Sequence, residues 1–224
     1  MKAKVSRILK TLDRLYPFDG VCFLNYEQPW QLLFATILSA QCTDARVNQV
    51  TASLFADFPS LAAFACAEIS LLEKAVHSTG FFRAKARHLQ ASARKLLSEH
   101  NGELPSDIES LTALSGVGRK TANVVRGHIF KIPSIVVDTH VKRVSNRLGL
   151  ANHSDPEKIE FELMEILPKT YWIQYNQQII THGRQICASR SPRCGECRLQ
   201  KDCKFENLLA NFCTNRFVTP IKEA

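Results

Sequence analysis

Residues 111–122 read LTALSGVGRKTA, Leu111 to Ala122, and the rest of the chain can be placed around them. The pattern is helix, tight turn, helix: Leu111 and Leu114 end one apolar face, Gly116 and Gly118 bracket Val117, and a new helix opens at Arg119 and Lys120. Glycine is scarce, 9 in 224 residues, so two within three positions point to positive φ and close backbone approach. Val117 is expected to plug the turn into the core. The second helix then presents backbone N–H groups at its positive end, a ready site for a phosphate. An ordinary αα-turn looks the same, and it is the basic run following Gly118 that favours an anion. A hairpin holding one phosphate attaches to a nucleic-acid backbone without reading base sequence.

Helical spacing extends outward in both directions. Val5, Ile8, Leu9, Leu12 and Leu15 form one apolar face, Leu32, Leu33, Thr36, Ile37 and Ala40 a second. Val47, Val50, Thr51, Leu54 and Phe55 make a third, and Ala86, Leu89, Ala93, Leu96 and Leu97 a fourth. Pro29 and the Asp155–Pro156 pair suit helix starts, and Gly102 and Gly149 suit helix ends. Ser70 with Glu73, and Ser106 with Glu109, fit capping boxes. Ile135–Val137 is the one short extended run, too brief for a sheet and read as a loop. The expectation is an all-α fold of about ten short helices, without repeats or heptads. Periodicity fades beyond Cys203.

Composition narrows the partner. At 45% hydrophobic and 22% charged the chain is globular, and 29 Lys and Arg against 21 Asp and Glu leave a net charge of +8. The surplus is local. Residues 119–147 carry +6 and residues 184–204 carry +4, so everything else sums to −2. Two basic segments suggest one polyanion, nucleic acid before a membrane surface. Neither a secretory signal nor a run of roughly 18 apolar residues is present, so a soluble protein of a reducing cytoplasm is expected. There, eight cysteines speak for metal or catalysis rather than disulfides.

Three sites carry candidate chemistry. Lys120, in the first turn of the second helix beside Arg119, sits where an added positive charge is disfavoured, which suits a nucleophilic amine and equally a phosphate ligand. Asp138 precedes the helical pattern of Val141, Val144 and Leu148, as an N-cap and as a rigid proton-transfer group. His140 beside it could bind phosphate or pack. Cys187, Cys194, Cys197 and Cys203 give C-x6-C-x2-C-x5-C within 17 residues. Four thiolates so close call for a soft metal. A compact loop suits a 4Fe–4S cluster, while zinc usually arrives as two separated C-x-x-C pairs and only Cys194 and Cys197 form one. Cys22, Cys42, Cys66 and Cys213 are expected to be buried or idle thiols.

LLFATILSAQCTDARVN (32–48), LSGVGRKTANVV (114–125), VDTHVKRVSNRLGL (137–150) and the four-cysteine loop resemble, in this order, the endonuclease III family of helix-hairpin-helix DNA glycosylases. The resemblance covers about residues 5–205. It implies two lobes: a helical barrel from residues 22–133, with its helix-hairpin-helix at about 107–128, and a cluster lobe from residues 1–21 and 134–210, followed by a tail at 211–224. It further implies a monomer that clasps double-stranded DNA, removes oxidised or ring-fragmented pyrimidines and nicks by β-elimination. Lys120 falls on the family's nucleophile, Asp138 on its catalytic aspartate, and Cys187, Cys194, Cys197 and Cys203 on the ligands of a structural 4Fe–4S cluster. Gly116, Val117, Gly118, Arg119, His140 and Arg143 fall on the DNA-binding surface, as do Gln41 and Phe81, whose side chains would fill the space of a flipped base.

The chain departs from the family pattern at Phe81, more often leucine, at Cys42, commonly alanine, and at Ser115, where proline usually precedes the hairpin and whose absence would loosen the turn. Two other readings compete. A monofunctional adenine glycosylase would lack the lysine and carry a longer C-terminal domain. A redox-sensing iron–sulfur DNA binder would leave Lys120 and Asp138 without a task.

Overall fold

A computed structural model describes residues 1–205. Cys213 and the 211–224 tail lie outside them. The described residues form eleven α-helices joined by loops and short 3-10 turns, with no strand among them. In chain order the helices are α1 (Lys2–Leu15), α2 (Pro29–Leu38), α3 (Asp44–Asp57), α4 (Leu61–Cys66), α5 (Ile69–Val76), α6 (Phe82–Glu99), α7 (Ile108–Thr112), α8 (Arg119–His128), α9 (Thr139–Leu148), α10 (Pro156–Ile166) and α11 (Trp172–Gln185). The chain divides into two compact units, Gly20–Ser134 and the combination of Met1–Asp19 with the chain from Ile135 onward. No helix among the described residues is long and apolar enough to cross a membrane.

The middle unit is built around α2. Pro29 occupies its first turn, Gln28 and Gln31 form a reciprocal capping box, and every residue from Trp30 to Leu38 is buried. Edge-to-face contacts join Trp30 to Phe34, Phe55 and Phe64, each with ring centres 5.4–5.7 Å apart. α6 buries Lys85, Ala86, Leu89, Ser92, Ala93 and Leu96, whereas Leu97 is exposed. Its inner face is therefore shifted from the predicted one, and it includes a charged residue.

That helix also anchors the glycine hairpin. Gly116 has φ +76°, and a Cβ there would meet His88 Cγ at 2.7 Å. His88 Nδ1 lies 2.9 Å from Ser115 Oγ, Ser92 Oγ donates to the Ser115 carbonyl at 2.8 Å, and Lys95 Nζ donates to the Ala113 carbonyl at 3.1 Å. Serine in place of proline thus gives the turn a hydroxyl tie to α6. Val117 plugs the core as expected. Gly118 is different: its φ is −95°, and a Cβ there would meet nothing within 4 Å. Only one of the two glycines is required by the turn itself.

The second unit packs α1, α9, α10 and α11 around Ile8, Leu12, Val141, Ile159, Tyr175 and Ile179. Leu15 is exposed, because α1 ends there and its apolar face stops at Leu12. Gly149 terminates α9 in the left-handed region at φ +64°, and the Asp155 carboxylate caps α10 ahead of Pro156. The two predicted capping boxes are not formed. Ser70 lies inside α5, which starts after Glu68, and Asp107, one residue after Ser106, caps α7 by accepting from the Ser110 N–H. Ile135–Val137 is a buried extended loop, tied by the Val136 N–H to Asn176 Oδ1 at 3.1 Å.

Candidate functional site

The hairpin places Gly116, Val117, Gly118, Arg119 and Lys120 together in the middle unit. Gly118 is the N-cap of α8, and no side chain caps the helix start. An uncapped N-terminus next to open space at Gly118 leaves room for an anion's oxygens to reach backbone N–H donors. Lys120 is the second residue of α8 and is exposed.

Asp138, His140 and Arg143 gather at the start of α9 in the other unit. Asp138 is half-buried, and its Oδ1 accepts from the Val141 N–H at 2.7 Å, so the cap reading and a fixed carboxylate hold at once. His140 Nδ1 lies 3.1 Å from Arg143 Nη2, and Arg143 also donates to the carbonyls of Cys187 and Gly183 at 3.1 and 3.0 Å. Gly183 has to be glycine here, since a Cβ would come within 2.8 Å of His140 Nδ1. Burial pushes the His140 pKa down; Arg143 and Arg184 push the same way, against the pull of Asp138.

Gln41 and Phe81 lie on two exposed turns of the middle unit. Gln41 follows α2 with φ +54°, and Phe81 precedes α6 with φ +48° and is 67% exposed. Non-glycine residues held in the left-handed region cost about 1–3 kcal/mol each and cluster at functional sites.

All four cysteines of the loop line a single cleft, together with Arg147, Ile186, Arg193 and Phe205. Arg147 organises its wall. One guanidinium nitrogen donates to Cys187 Sγ at 3.2 Å and to the Ala188 carbonyl at 2.7 Å, and the other reaches the Ser189 carbonyl at 3.1 Å. The Arg147 carbonyl accepts from Cys203 Sγ at 3.3 Å, and the guanidinium sits 4.2 Å from the Phe205 ring centre. His182, buried, is 3.7 Å from Cys197 Sγ through Nε2 and 3.0 Å from Tyr16 Oη through Nδ1. Burial raises the Cys197 thiol pKa, and the three neighbouring cysteines add to it. Among the described residues no three His, Cys, Asp or Glu are set around one point as a single ion requires. Of the remaining thiols, Cys66 is exposed and Cys22 and Cys42 are half-buried.

Sequence reasoning overlooked Arg147 and His182. Arg147 lies on α9, 40 residues before Cys187, and His182 on α11, 15 residues before Cys197; only the basic run ending at Arg147 hinted at either.

Comparison with known proteins adds independent findings. The family model described as "HhH-GPD superfamily base excision DNA repair protein" matches residues 34–169. Endonuclease III of Synechocystis sp. is 50% identical over 203 residues, covering 90% of this chain and 92% of that protein. Endonuclease III of Escherichia coli strain K12 is 38% identical over 205 residues, covering 92% and 97%. Among solved structures, a trapped endonuclease III–DNA covalent intermediate superposes with a TM-score of 0.89 at 39% identity, over 94% of this chain and 99% of that one. A thermostable thymine-DNA glycosylase, at 21% identity and a TM-score of 0.81, shares the fold. With the helical frame, the hairpin and near-complete coverage all in agreement, the chain belongs to the endonuclease III family of base excision DNA repair proteins.

Proposed function

We propose that this DNA glycosylase and AP lyase removes oxidised or ring-fragmented pyrimidines from double-stranded DNA with Lys120 as its nucleophile and Asp138 as its proton-transfer group. The observation that carries the reading is Lys120, exposed in the first turn of α8 directly behind an uncapped, open helix start. A phosphate held by the hairpin N–H groups, with Arg119 beside it, would bring a deoxyribose within reach of that amine. The damaged base leaves the stack at lower cost than an intact one, which aids selection.

The neutral Lys120 amine attacks C1′, the C1′–N bond breaks, and the base departs with its electron pair and takes up a proton. Asp138, with Oδ1 fixed by its cap, assists proton transfer through its other oxygen and stabilises the positive charge growing on the sugar. The amine nitrogen then loses its proton, the C1′–O4′ bond opens with O4′ taking up a proton, and the resulting Schiff base acidifies the C2′ proton. Its removal expels the 3′ phosphate, breaking the strand on the 3′ side. A protein with water in place of the lysine would stop at the abasic site.

Cys187, Cys194, Cys197 and Cys203 would hold a 4Fe–4S cluster. All four cysteines line one cleft, and their compact C-x6-C-x2-C-x5-C loop, with a single C-x-x-C pair, suits a polynuclear group better than the two separated pairs usual for zinc. Bound there, the cluster would be structural, fixing the basic 184–204 segment, and the enzyme would act as a cytoplasmic monomer. The first test is borohydride trapping on a duplex with one abasic site. Wild type gives a covalent adduct and Lys120→Ala gives none. Equal adducts from both, or none from folded, iron-loaded wild type, would overturn the Lys120 mechanism. A panel of oxidised pyrimidines against intact duplex then tests the substrate class.

A further inference from the structure

Lys85 is a charged residue on the inner face of α6, 4% exposed, which nothing in the proposed chemistry employs. Its Nζ donates to two carbonyls, Leu38 at 2.8 Å and Thr79 at 2.8 Å. Both close helical segments: Leu38 is the last residue of α2, and Thr79 is the last of the 3-10 turn His77–Thr79. Carbonyls at helix ends lack partners and carry the negative end of the helix dipole, so a buried lysine is well matched to them.

The residues just beyond each carbonyl give the contact its meaning. Three residues after Leu38 comes Gln41, and two after Thr79 comes Phe81, both exposed and both held at left-handed φ. The backbone of Lys85 adds a third tie, its N–H donating to the Phe81 carbonyl at 3.1 Å. A single residue thus fixes the stem of the Gln41 turn and both flanks of Phe81. Burial lowers the Lys85 pKa, yet even a neutral amine keeps two N–H bonds for the two carbonyls, so the brace does not depend on its charge.

We propose that Lys85 is a positioning residue that locks the Gln41 and Phe81 turns into one register, so that both side chains enter the duplex together when the damaged base leaves it. The inference rests on the reading of Gln41 and Phe81 as the residues that fill the base stack. Without the brace, each turn would relax from its left-handed conformation separately, and duplex opening would suffer while the chemistry at Lys120 would not.

The test uses the full-length, iron-loaded protein and a duplex with 2-aminopurine next to the lesion, whose fluorescence rises on unstacking. Gln41→Ala, Phe81→Ala and Lys85→Met are each expected to abolish most of that rise, and Lys85→Met to slow single-turnover base release from duplex at least tenfold. Borohydride trapping on single-stranded DNA with an abasic site, where no partner strand has to be opened, should stay within twofold of wild type for Lys85→Met. If the Gln41 and Phe81 variants lose the signal and Lys85→Met keeps it, the brace is refuted. If the Gln41 and Phe81 variants both keep it, the reading of those two turns has failed, and the inference with it. Equal losses on single and double strands would show general damage and also overturn the proposal. Should Lys85→Met not fold, Lys85→Gln, whose shorter amide cannot span both carbonyls, serves the same comparison.

Discussion

Gly116 and Gly118 stand two residues apart in one turn, and the structure gives them opposite sensitivities. Gly116→Ala puts a side chain at φ +76°, which costs about 1–2 kcal/mol for an L-residue. It also drives a Cβ to 2.7–2.8 Å from His88 Cγ and Cβ, the root of that side chain rather than its flexible end. Relieving such overpacking costs a further 1–3 kcal/mol, roughly. The sum, about 2–5 kcal/mol, corresponds to a melting temperature lower by on the order of 10 °C. Gly118→Ala meets no neighbour and keeps an ordinary φ of −95°. The gain of about 0.4–1 kcal/mol from a stiffer unfolded chain roughly offsets alanine's weakness as an N-cap. Its melting temperature should stay within a few degrees of wild type. Its DNA affinity should nevertheless fall about tenfold, because the added methyl occupies the path by which a phosphate reaches the α8 start. Thermal melts by circular dichroism and fluorescence anisotropy on a labelled abasic duplex, at one stated salt concentration, measure both. A Gly116→Ala protein as stable as wild type, or a Gly118→Ala protein that melts early, would refute the steric reasoning. Undiminished DNA binding by Gly118→Ala would refute the phosphate site.

Other perturbations separate stability from activity elsewhere. Asp138→Asn keeps an N-cap acceptor and should melt within about 1 kcal/mol of wild type, yet lose about 10²–10⁴-fold in single-turnover base release; Asp138→Ala should lose that rate plus about 0.5–2 kcal/mol of stability. Arg147→Met removes the donors to Cys187 Sγ and to the Ala188 and Ser189 carbonyls, and should cost about 2–4 kcal/mol and lower the iron content of the purified protein. Burial, helped by Lys131, holds His128 below the usual histidine range. The unfolded chain therefore binds that proton first. The stability His128 confers is present above about pH 6.5 and drains as pH falls, by up to about 1.4 kcal/mol per pH unit. Urea melts at pH 7.5 and 5.5 should show a smaller loss for His128→Gln than for wild type.

The all-α fold was legible because apolar spacing survives in most helices: Val5, Ile8, Leu9 and Leu12 are all buried, as are Val47, Val50, Thr51 and Leu54. The pattern misleads at helix ends and on neighbouring positions. Leu15 has no partner layer beyond the last turn, and Leu97 lies about 100° around the helix from Leu96. Capping signals slip by one residue when a stronger acceptor stands next door, which is how Asp107 displaces Ser106. Hydrophobic patterning does not register Lys85, because its burial is made good by carbonyls of two other segments that no local window contains. Of the chemistry-bearing groups, the hairpin and the cysteine loop announce themselves through short spacing. Arg147 becomes visible only when α9 folds back on the loop, whereas His182 lies on the helix that leads into it and is given away by no short spacing.

The pairing of the chain's beginning with its last third also governs the order in which the ribosome's product can fold. The unit Gly20–Ser134 is contiguous and can close as soon as it has emerged. Helix α1, which packs against α11, has to wait for Trp172 and beyond. At about 5–20 residues per second that interval is roughly 8–30 s, during which Val5, Ile8, Leu9 and Leu12 have no partner surface and are exposed to chaperones. The cysteine loop comes later still, so an iron–sulfur cluster of the kind proposed for it would be loaded only as the second unit closes, long after the hairpin is finished.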